Sequence, residues 1–137
     1  MKETKLAGKL AIDNPWEDLI VSILSVNQYS LERTYRCLEG LREQGLSDPN
    51  KLMGWGQAEI VNRLKSAGCD RGLFMTNLFA FRLCSLGTLI QLSGVDACTE
   101  IISSRDAKSI EKLLLPVNGV GPKVIANFCL LRDIHRQ

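Results

Sequence analysis

A glycine-rich turn towards the C-terminal end of the sequence constrains the fold of this chain more than any other feature. It reads LPVNGVGPK over residues 115–123. Apolar residues recur at helical spacing on both sides of it, over residues 107–114 and 123–131. The pattern therefore predicts two short helices joined by a tight turn, a helix-hairpin-helix over residues 107–132.

Each residue type in this turn has a physical reason to be there. Glycine adopts positive φ without a steric penalty, so Gly119 and Gly121 suit the bend. Pro122 suits the first position of the second helix, where its missing N–H costs nothing. That helix directs free N–H groups beyond its start, and Lys123 adds a cation beside them. We expect this end to bind an anion such as phosphate. The alternative is a plain helix–helix turn with a packing glycine.

The rest of the sequence predicts an all-α protein. Caps and apolar spacing place helices from Asn14 to about Val26, from Ser30 to Gly45 and over residues 57–67, while no useful stretch alternates as a strand would. Because no linker divides residues 1–137, we expect a single domain. The expected fold is a compact bundle of about six to eight short helices, which are stabilised mainly by packing on each other.

Two stretches carry more specific expectations. Asn14 is a good N-cap, Glu17 completes a capping-box arrangement, and Asp18 then belongs to a solvated face. Residues 71–86 form a longer helix that Gly87 stops. One side of it carries Phe74, Leu78, Phe81, Cys84 and Ser85. Further apolar residues, Leu73, Phe79, Leu83 and Leu86, widen this side, so we expect the helix to be buried on much of its circumference.

Composition bounds the class of protein. The apolar fraction is 45% and the net charge is +2, so a basic surface would have to be local. The five cysteines are widely spaced and show no C-x-x-C pair, which favours buried reduced thiols over metal binding. No leader-like or membrane-length apolar run is apparent in the sequence. We therefore expect a protein of the cytoplasm or nucleus that is neither secreted nor a membrane protein.

The hairpin and one upstream block resemble a known family. Residues 117–126, VNGVGPKVIA, are similar to the hairpin of the helix-hairpin-helix DNA glycosylases, the endonuclease III and oxoguanine glycosylase superfamily. Asn118 stands where that family often has proline. Residues 15–28 begin with PWEDLI, end with LSVNQ and resemble the family's first barrel helix. The resemblance covers residues 14–133 and implies the family's six-helix barrel.

The resemblance implies a function in base-excision repair. The protein would be a DNA glycosylase, or a glycosylase with AP lyase activity, acting on damaged or abasic sites in double-stranded DNA. It implies DNA contacts from six residues of the turn, which are Asn118, Gly119, Val120, Gly121, Pro122 and Lys123. Lys123 matches the catalytic lysine, which attacks the anomeric carbon and forms a Schiff base. That attack requires a neutral amine, which burial or nearby positive charge favours; the alternative is a charged lysine beside a phosphate.

Three further expectations rest on the same resemblance. Asn27, with Gln28 as second choice, matches an amide residue that fills the gap left by a flipped base. Capping of helix carbonyls is the alternative role for both. The backbone carbonyls of Leu115, Val117 and Val120 would hold a monovalent cation, K⁺ or Na⁺. The clustered cysteines of the iron–sulfur relatives are missing, so we expect no iron–sulfur cluster.

A second hypothesis is a non-catalytic DNA-binding module or subunit. The family's aspartate, which stabilises the sugar as the base leaves, lies farther beyond the lysine than Asp133. An incomplete barrel would expose an apolar face, and a protein partner that completes the fold would cover it. A helical adaptor between proteins is a third, weaker hypothesis. Among the aromatic residues, Trp55 between two glycines is the best candidate to stack on a flipped base.

Overall fold

A computed structural model describes residues 14–25 and 28–134 of the chain, the side chains of residues 28–31 excepted. Every regular element within these ranges is a helix, which confirms the all-α expectation. In chain order the helices are α1 (Pro15–Ile23), α2 (Gln28–Tyr35), α3 (Leu38–Glu43), α4 (Pro49–Leu52), α5 (Gln57–Ser66), α6 (Gly72–Ser93), α7 (Val95–Ser103), α8 (Ala107–Leu114) and α9 (Pro122–Leu131).

Helix α1 lies at the centre of the bundle. All nine of its residues are buried, and it packs against α2, α6, α7 and α9. Its start is the expected one, because the Asn14 side chain accepts the amides of Trp16 and Glu17 at 3.1 and 3.3 Å. A helix with no solvated face has to be surrounded by other elements, and these four helices form the main part of that surround.

Two carboxylates of α1 are buried and ion-paired. Glu17 accepts two hydrogen bonds from the Arg42 guanidinium, at 2.6 and 2.9 Å, and Asp18 faces Arg132 at 3.2 Å. The exposed fractions of Glu17 and Asp18 are only 6% and 0%. The expected capping box and the expected solvated face are therefore wrong. Both acids satisfy arginines that come from α3 and from the end of α9.

The long helix α6 extends seven residues beyond the predicted C-terminal end at residue 86, because Gly87 does not stop it. A Cβ on Gly87 would lie 3.1 Å from the Leu52 carbonyl oxygen and 3.2 Å from the Met53 Cα. Glycine is needed there for the close crossing of α4 over α6. The helix ends instead at Gly94, whose φ is +95°.

Only part of the predicted apolar surface of α6 is buried, including the expected Phe79, Leu83 and Leu86. Its core side consists of Thr76, Phe79, Ala80, Leu83, Leu86, Gly87 and Ile90. Phe74 and Phe81, predicted to be buried, are 77% and 46% exposed, and Leu92 is 82% exposed. These three residues share one helical face, which we call the apolar stripe. Two grooves of about 470 and 350 Å³ lie along it.

The expectation that the chain has no apolar run of membrane length is wrong for α6, which has the length and composition of a membrane span. Its mean hydropathy reaches 1.5 over an 18-residue window, of which 39% is buried inside the bundle. The core helix of a globular protein commonly meets the same criterion.

Candidate functional site at the hairpin

The helix-hairpin-helix predicted from the sequence is present. Helices α8 and α9 turn most of their apolar residues inward, and Ile110, Ile125 and Phe128 have no exposed surface, although Leu130 is 48% exposed. The Asp106 side chain caps α8 by accepting the amides of Lys108 and Ser109 at 3.2 and 3.3 Å. The start of the hairpin is therefore fixed by a local cap, and its body is fixed by the core.

Hydrogen bonds also set the ionisation of this cap. Hydrogen bonds from the Ser109 hydroxyl, and secondly from the Ser109 backbone amide, hold the pKa of Asp106 below its ordinary value. Because this pKa is lowered in the folded state, the Asp106 cap makes its full contribution to the stability of the fold at pH values above the ordinary pKa of aspartate. Its contribution is then lost as the pH falls through the lowered value.

The hairpin turn, residues 115–121, alternates anchored and exposed residues. Val117 and Val120 are buried, and the Val117 carbonyl accepts the Val120 amide at 3.1 Å. Asn118 and Gly119 are exposed. The two valines hold the turn on the core, so that the residues between them lie at the surface.

Helix α6 supports this turn from below. The backbone N–H of Asn118 donates a hydrogen bond to the Ser85 hydroxyl oxygen at 2.9 Å. Gly119 has a φ of +82°, and a Cβ on it would overlap the side chain of Arg82. Sequence reasoning missed both α6 residues as parts of the site. The available signal was that Arg82 is the single charged residue in the 22 residues of α6.

The two glycines of the turn have different roles. Gly121 is the N-cap of α9 with φ −131° and ψ −164°, an extended conformation open to any residue. No atom lies within 4 Å of the position of its Cβ. The expectation of positive φ is therefore wrong for Gly121 and confirmed for Gly119.

This difference predicts opposite outcomes for one substitution at two sites. Gly119→Ser should lower the free energy of unfolding by about 1–2 kcal/mol, because a side chain at positive φ is strained and also displaces Arg82. Gly121→Ser should leave it unchanged or slightly raised, since serine is a good N-cap. Urea titrations of the two variants measure the difference. Equal effects at both positions would contradict the assigned turn geometry.

Lys123 lies in the first turn of α9 and is exposed. The burial that a neutral nucleophilic amine requires is therefore not supplied by the described residues. Helix geometry leaves the backbone amides of Lys123 and Val124 without an acceptor in the preceding turn. These amides and the lysine side chain lie at the same end of α9, next to the exposed part of the turn.

The other cations of this region differ in availability. Lys108 and Lys112 on α8 are exposed. Arg105 instead donates to the carbonyl oxygens of Arg132 and Asp133, and Arg132 pairs with the buried Asp18. Arg105 is exposed as well, but its guanidinium is held by carbonyl oxygens at the end of α9, whereas the side chains of Lys108 and Lys112 are exposed on α8.

The remaining candidate residues do not extend this site. Asn27 lies outside the described residues, as does the side chain of Gln28, whose backbone begins α2. Trp55 is half-buried, and the Arg63 guanidinium lies 3.9 Å from its ring centroid. One face of the Trp55 ring is therefore covered already, which weakens its candidacy to stack on a base.

Metal ligands do not cluster in the part of the chain that the structure describes: no three histidine, cysteine or acidic side chains converge there. The chain matches no protein-family model, no curated protein and no solved structure. Fold and site together define a structural class, an all-α bundle that exposes a glycine-containing hairpin turn and the lysine-bearing start of a helix.

Proposed function

We propose that this chain binds double-stranded DNA through the hairpin and acts in base-excision repair as a DNA glycosylase or glycosylase/AP lyase. One observation carries the proposal: Asn118, Gly119, Pro122 and Lys123 are exposed together where α9 begins. A helix start offers uncompensated amides to an anion, and a phosphate bridging them would also meet the lysine. Such contacts bind any sequence, as a repair protein that scans DNA requires.

Lys123 is the nucleophile in this proposal, in keeping with the resemblance of residues 117–126 to the glycosylase hairpin. Its amine attacks the anomeric carbon of the damaged nucleoside, and the base leaves with the bonding electron pair. Loss of a proton from nitrogen and opening of the sugar give a Schiff base, from which β-elimination nicks the strand. Because Lys123 is exposed in the free protein, the bound DNA must supply the burial that favours the neutral amine.

A monovalent cation, K⁺ or Na⁺, is part of the proposed DNA complex. The carbonyls of Leu115, Val117 and Val120 would hold it beside a phosphate. A carbonyl oxygen has two lone pairs, so Val117 can accept the Val120 amide and still bind an ion. Replacing K⁺ by the bulky tetramethylammonium ion at constant ionic strength should weaken DNA binding if the ion is required.

The second candidate is a non-catalytic DNA-binding subunit. Two observations favour it, the exposure of Lys123 and the apolar stripe of α6, whose Phe74 and Leu92 are more than three-quarters exposed. Apolar side chains aligned on one helix face commonly mark a protein interface. In this case the hairpin binds DNA while a partner protein covers α6.

DNA binding is tested by a fluorescence-anisotropy titration against a short duplex at several salt concentrations. The logarithm of the association constant should fall linearly with the logarithm of salt concentration. Lys123→Ala should weaken binding and make that slope shallower by about one. Lys65→Ala, an equal loss of charge on an exposed residue of α5, should leave the slope unchanged. Affinity independent of salt would count against DNA as the ligand.

Borohydride trapping separates the enzyme from the module. The parent protein and Lys65→Ala should form a covalent adduct with duplex DNA that contains an abasic site, and Lys123→Ala should form none. Salt-dependent binding without any adduct from the parent protein supports the non-catalytic subunit. An adduct that persists in Lys123→Ala would assign the nucleophile to another amine.

A further inference from the structure

Two cysteines that are far apart in sequence meet on the side of the bundle formed by α3 and α5. Cys37 lies between α2 and α3, is half-buried, and its thiol donates to the Gly68 carbonyl oxygen at 3.2 Å. Cys69, the next residue along that segment, is only 3% exposed. The Cys37 side chain is part of the environment of the Cys69 thiol, and the Cys37 sulfur lies 3.2 Å from the carbonyl oxygen of Gly68, the residue bonded to Cys69.

The backbones that carry these thiols touch each other. Gly40 of α3 packs so closely on Ala67 that a Cβ would overlap the Ala67 carbonyl oxygen and lie 2.9 Å from its carbon. Gly40 is one helical turn beyond Cys37, and Ala67 directly precedes Gly68 and Cys69. The contact therefore holds the backbone beside Cys37 against the backbone beside Cys69, and a disulfide requires flanking backbone at such close range.

We propose that Cys37 and Cys69 are a redox modification site, which a hydroperoxide oxidises to a reversible disulfide. The Cys37 thiolate attacks the terminal peroxide oxygen, the O–O bond breaks, and the other oxygen leaves as alkoxide, or as hydroxide from hydrogen peroxide, and takes up a proton. The Cys69 sulfur then attacks the Cys37 sulfenic acid, the S–O bond breaks, and water leaves with the thiol proton. Two thiols lose two electrons in total, and one hydroperoxide is reduced.

The environments of the two thiols assign the order of these steps. Cys37 is the more accessible sulfur and meets the oxidant first. Burial, and secondly the contact with Cys37, raises the pKa of Cys69 to about 12, so this thiol stays protonated at neutral pH. Attack on a peroxide requires a thiolate, so Cys69 is not the first nucleophile. In the second step its proton passes to the departing sulfenic oxygen as its sulfur attacks, and Cys69 therefore acts as the resolving cysteine.

The disulfide would lock one part of the bundle. It encloses α3, α4 and α5 in a covalent loop and ties the junction of α2 and α3 to the segment before α6. A bridge over a loop of this length restricts the unfolded chain and raises stability. This inference does not depend on the proposed DNA binding.

The test is peptide mapping of the reduced full-length chain after treatment with hydrogen peroxide. We expect a loss of two hydrogens in the intact mass and a cross-linked peptide that joins Cys37 to Cys69. The melting temperature should rise by several degrees and return to its starting value with dithiothreitol. Cys37→Ser and Cys69→Ser should abolish the bridge, while Cys84→Ser, at another half-buried cysteine, should retain it.

Two results would overturn the inference. One is a parent protein in which Cys37 accumulates as sulfinic acid while Cys69 stays a free thiol. The other is a bridge of either cysteine to a different partner. Both are read from the parent protein alone, so a serine variant that folds poorly leaves the test decisive.

Discussion

Replacing Arg132 by methionine is expected to lower the free energy of unfolding by about 3–5 kcal/mol. The Arg132 guanidinium lies 3.2 Å from Asp18, whose side chain has no exposed surface, and is itself only 13% exposed. Without it, a carboxylate in the centre of the bundle loses a compensating charge that water cannot replace. Because methionine keeps much of the packing volume of arginine, the loss of stability in Arg132→Met measures mainly the effect of removing the charge. Urea titration at neutral pH measures the effect.

Lys112→Met is the matched control for this variant. It removes the same charge from an exposed residue of α8 and should change stability by less than about 0.5 kcal/mol. A double variant, Asp18→Asn with Arg132→Met, should lose less stability than the sum of the single variants, because neither charge is then left alone. Additive losses, or a small effect of Arg132→Met, would mean that the pair is solvated.

The Asp18–Arg132 pair also bears on the candidate site. Arg132 is the C-cap of α9, the helix whose opposite end carries Lys123. Asp18 belongs to α1, around which the other helices pack. The pair therefore joins the second hairpin helix to the centre of the bundle at the end remote from the turn, and helps to fix the direction in which α9 presents its amides.

Features that depend on neighbouring residues were predictable from the sequence. Asn14, Asp48 and Asp106 cap helices as their positions suggest, because each side chain needs only amides two or three residues ahead. Gly45 and Gly68 adopt positive φ just after helices, where a helix commonly ends. The hairpin helices belong to the same class, since a strong apolar period and a proline at N1 define them locally.

Features set by distant contacts were not predictable in this way. The local sequence suggests a capping box for Glu17, but its carboxylate pairs with Arg42, 25 residues away. The local sequence likewise suggests a surface position for Asp18, but it pairs with Arg132, 114 residues away. Gly87 looks like a helix end because the sequence does not show that α4 crosses there. In α6 apolar residues occur on every side, so periodicity alone could not select the buried face.

The candidate site also combines features set by neighbouring residues, which were predictable, with features set by distant contacts, which were not. The positive φ expected of Gly121 is wrong and the exposure of Lys123 was not predicted, but the turn itself and the positive φ of Gly119 follow from the local sequence. The support from α6 does not, because the Ser85 hydroxyl bonds an amide 33 residues later and Arg82 meets a glycine without a side chain of its own. Contacts of a side chain with bare backbone leave no apolar pattern or charge pairing in the sequence.

Gly40→Ala is expected to lower the free energy of unfolding by about 2–3 kcal/mol, although alanine favours a helix over glycine by about 1 kcal/mol. The added methyl group would overlap the Ala67 carbonyl oxygen, a backbone atom that moves only if α3 and α5 separate. Steric overlap therefore outweighs helix propensity. Gly54→Ala, where the nearest atom is 3.5 Å away, should stay within about 0.5 kcal/mol of the parent.

The same variant connects packing to the proposed redox site. If the approach of Gly40 to Ala67 holds Cys37 beside Cys69, moving α3 away from α5 should slow formation of the disulfide. Gly40→Ala should therefore form the peroxide-induced bridge more slowly than Gly54→Ala when both are fully folded at low temperature. An unchanged rate with reduced stability would show that the thiols meet without help from this contact. Unchanged stability would show that the two segments are farther apart than the structure places them.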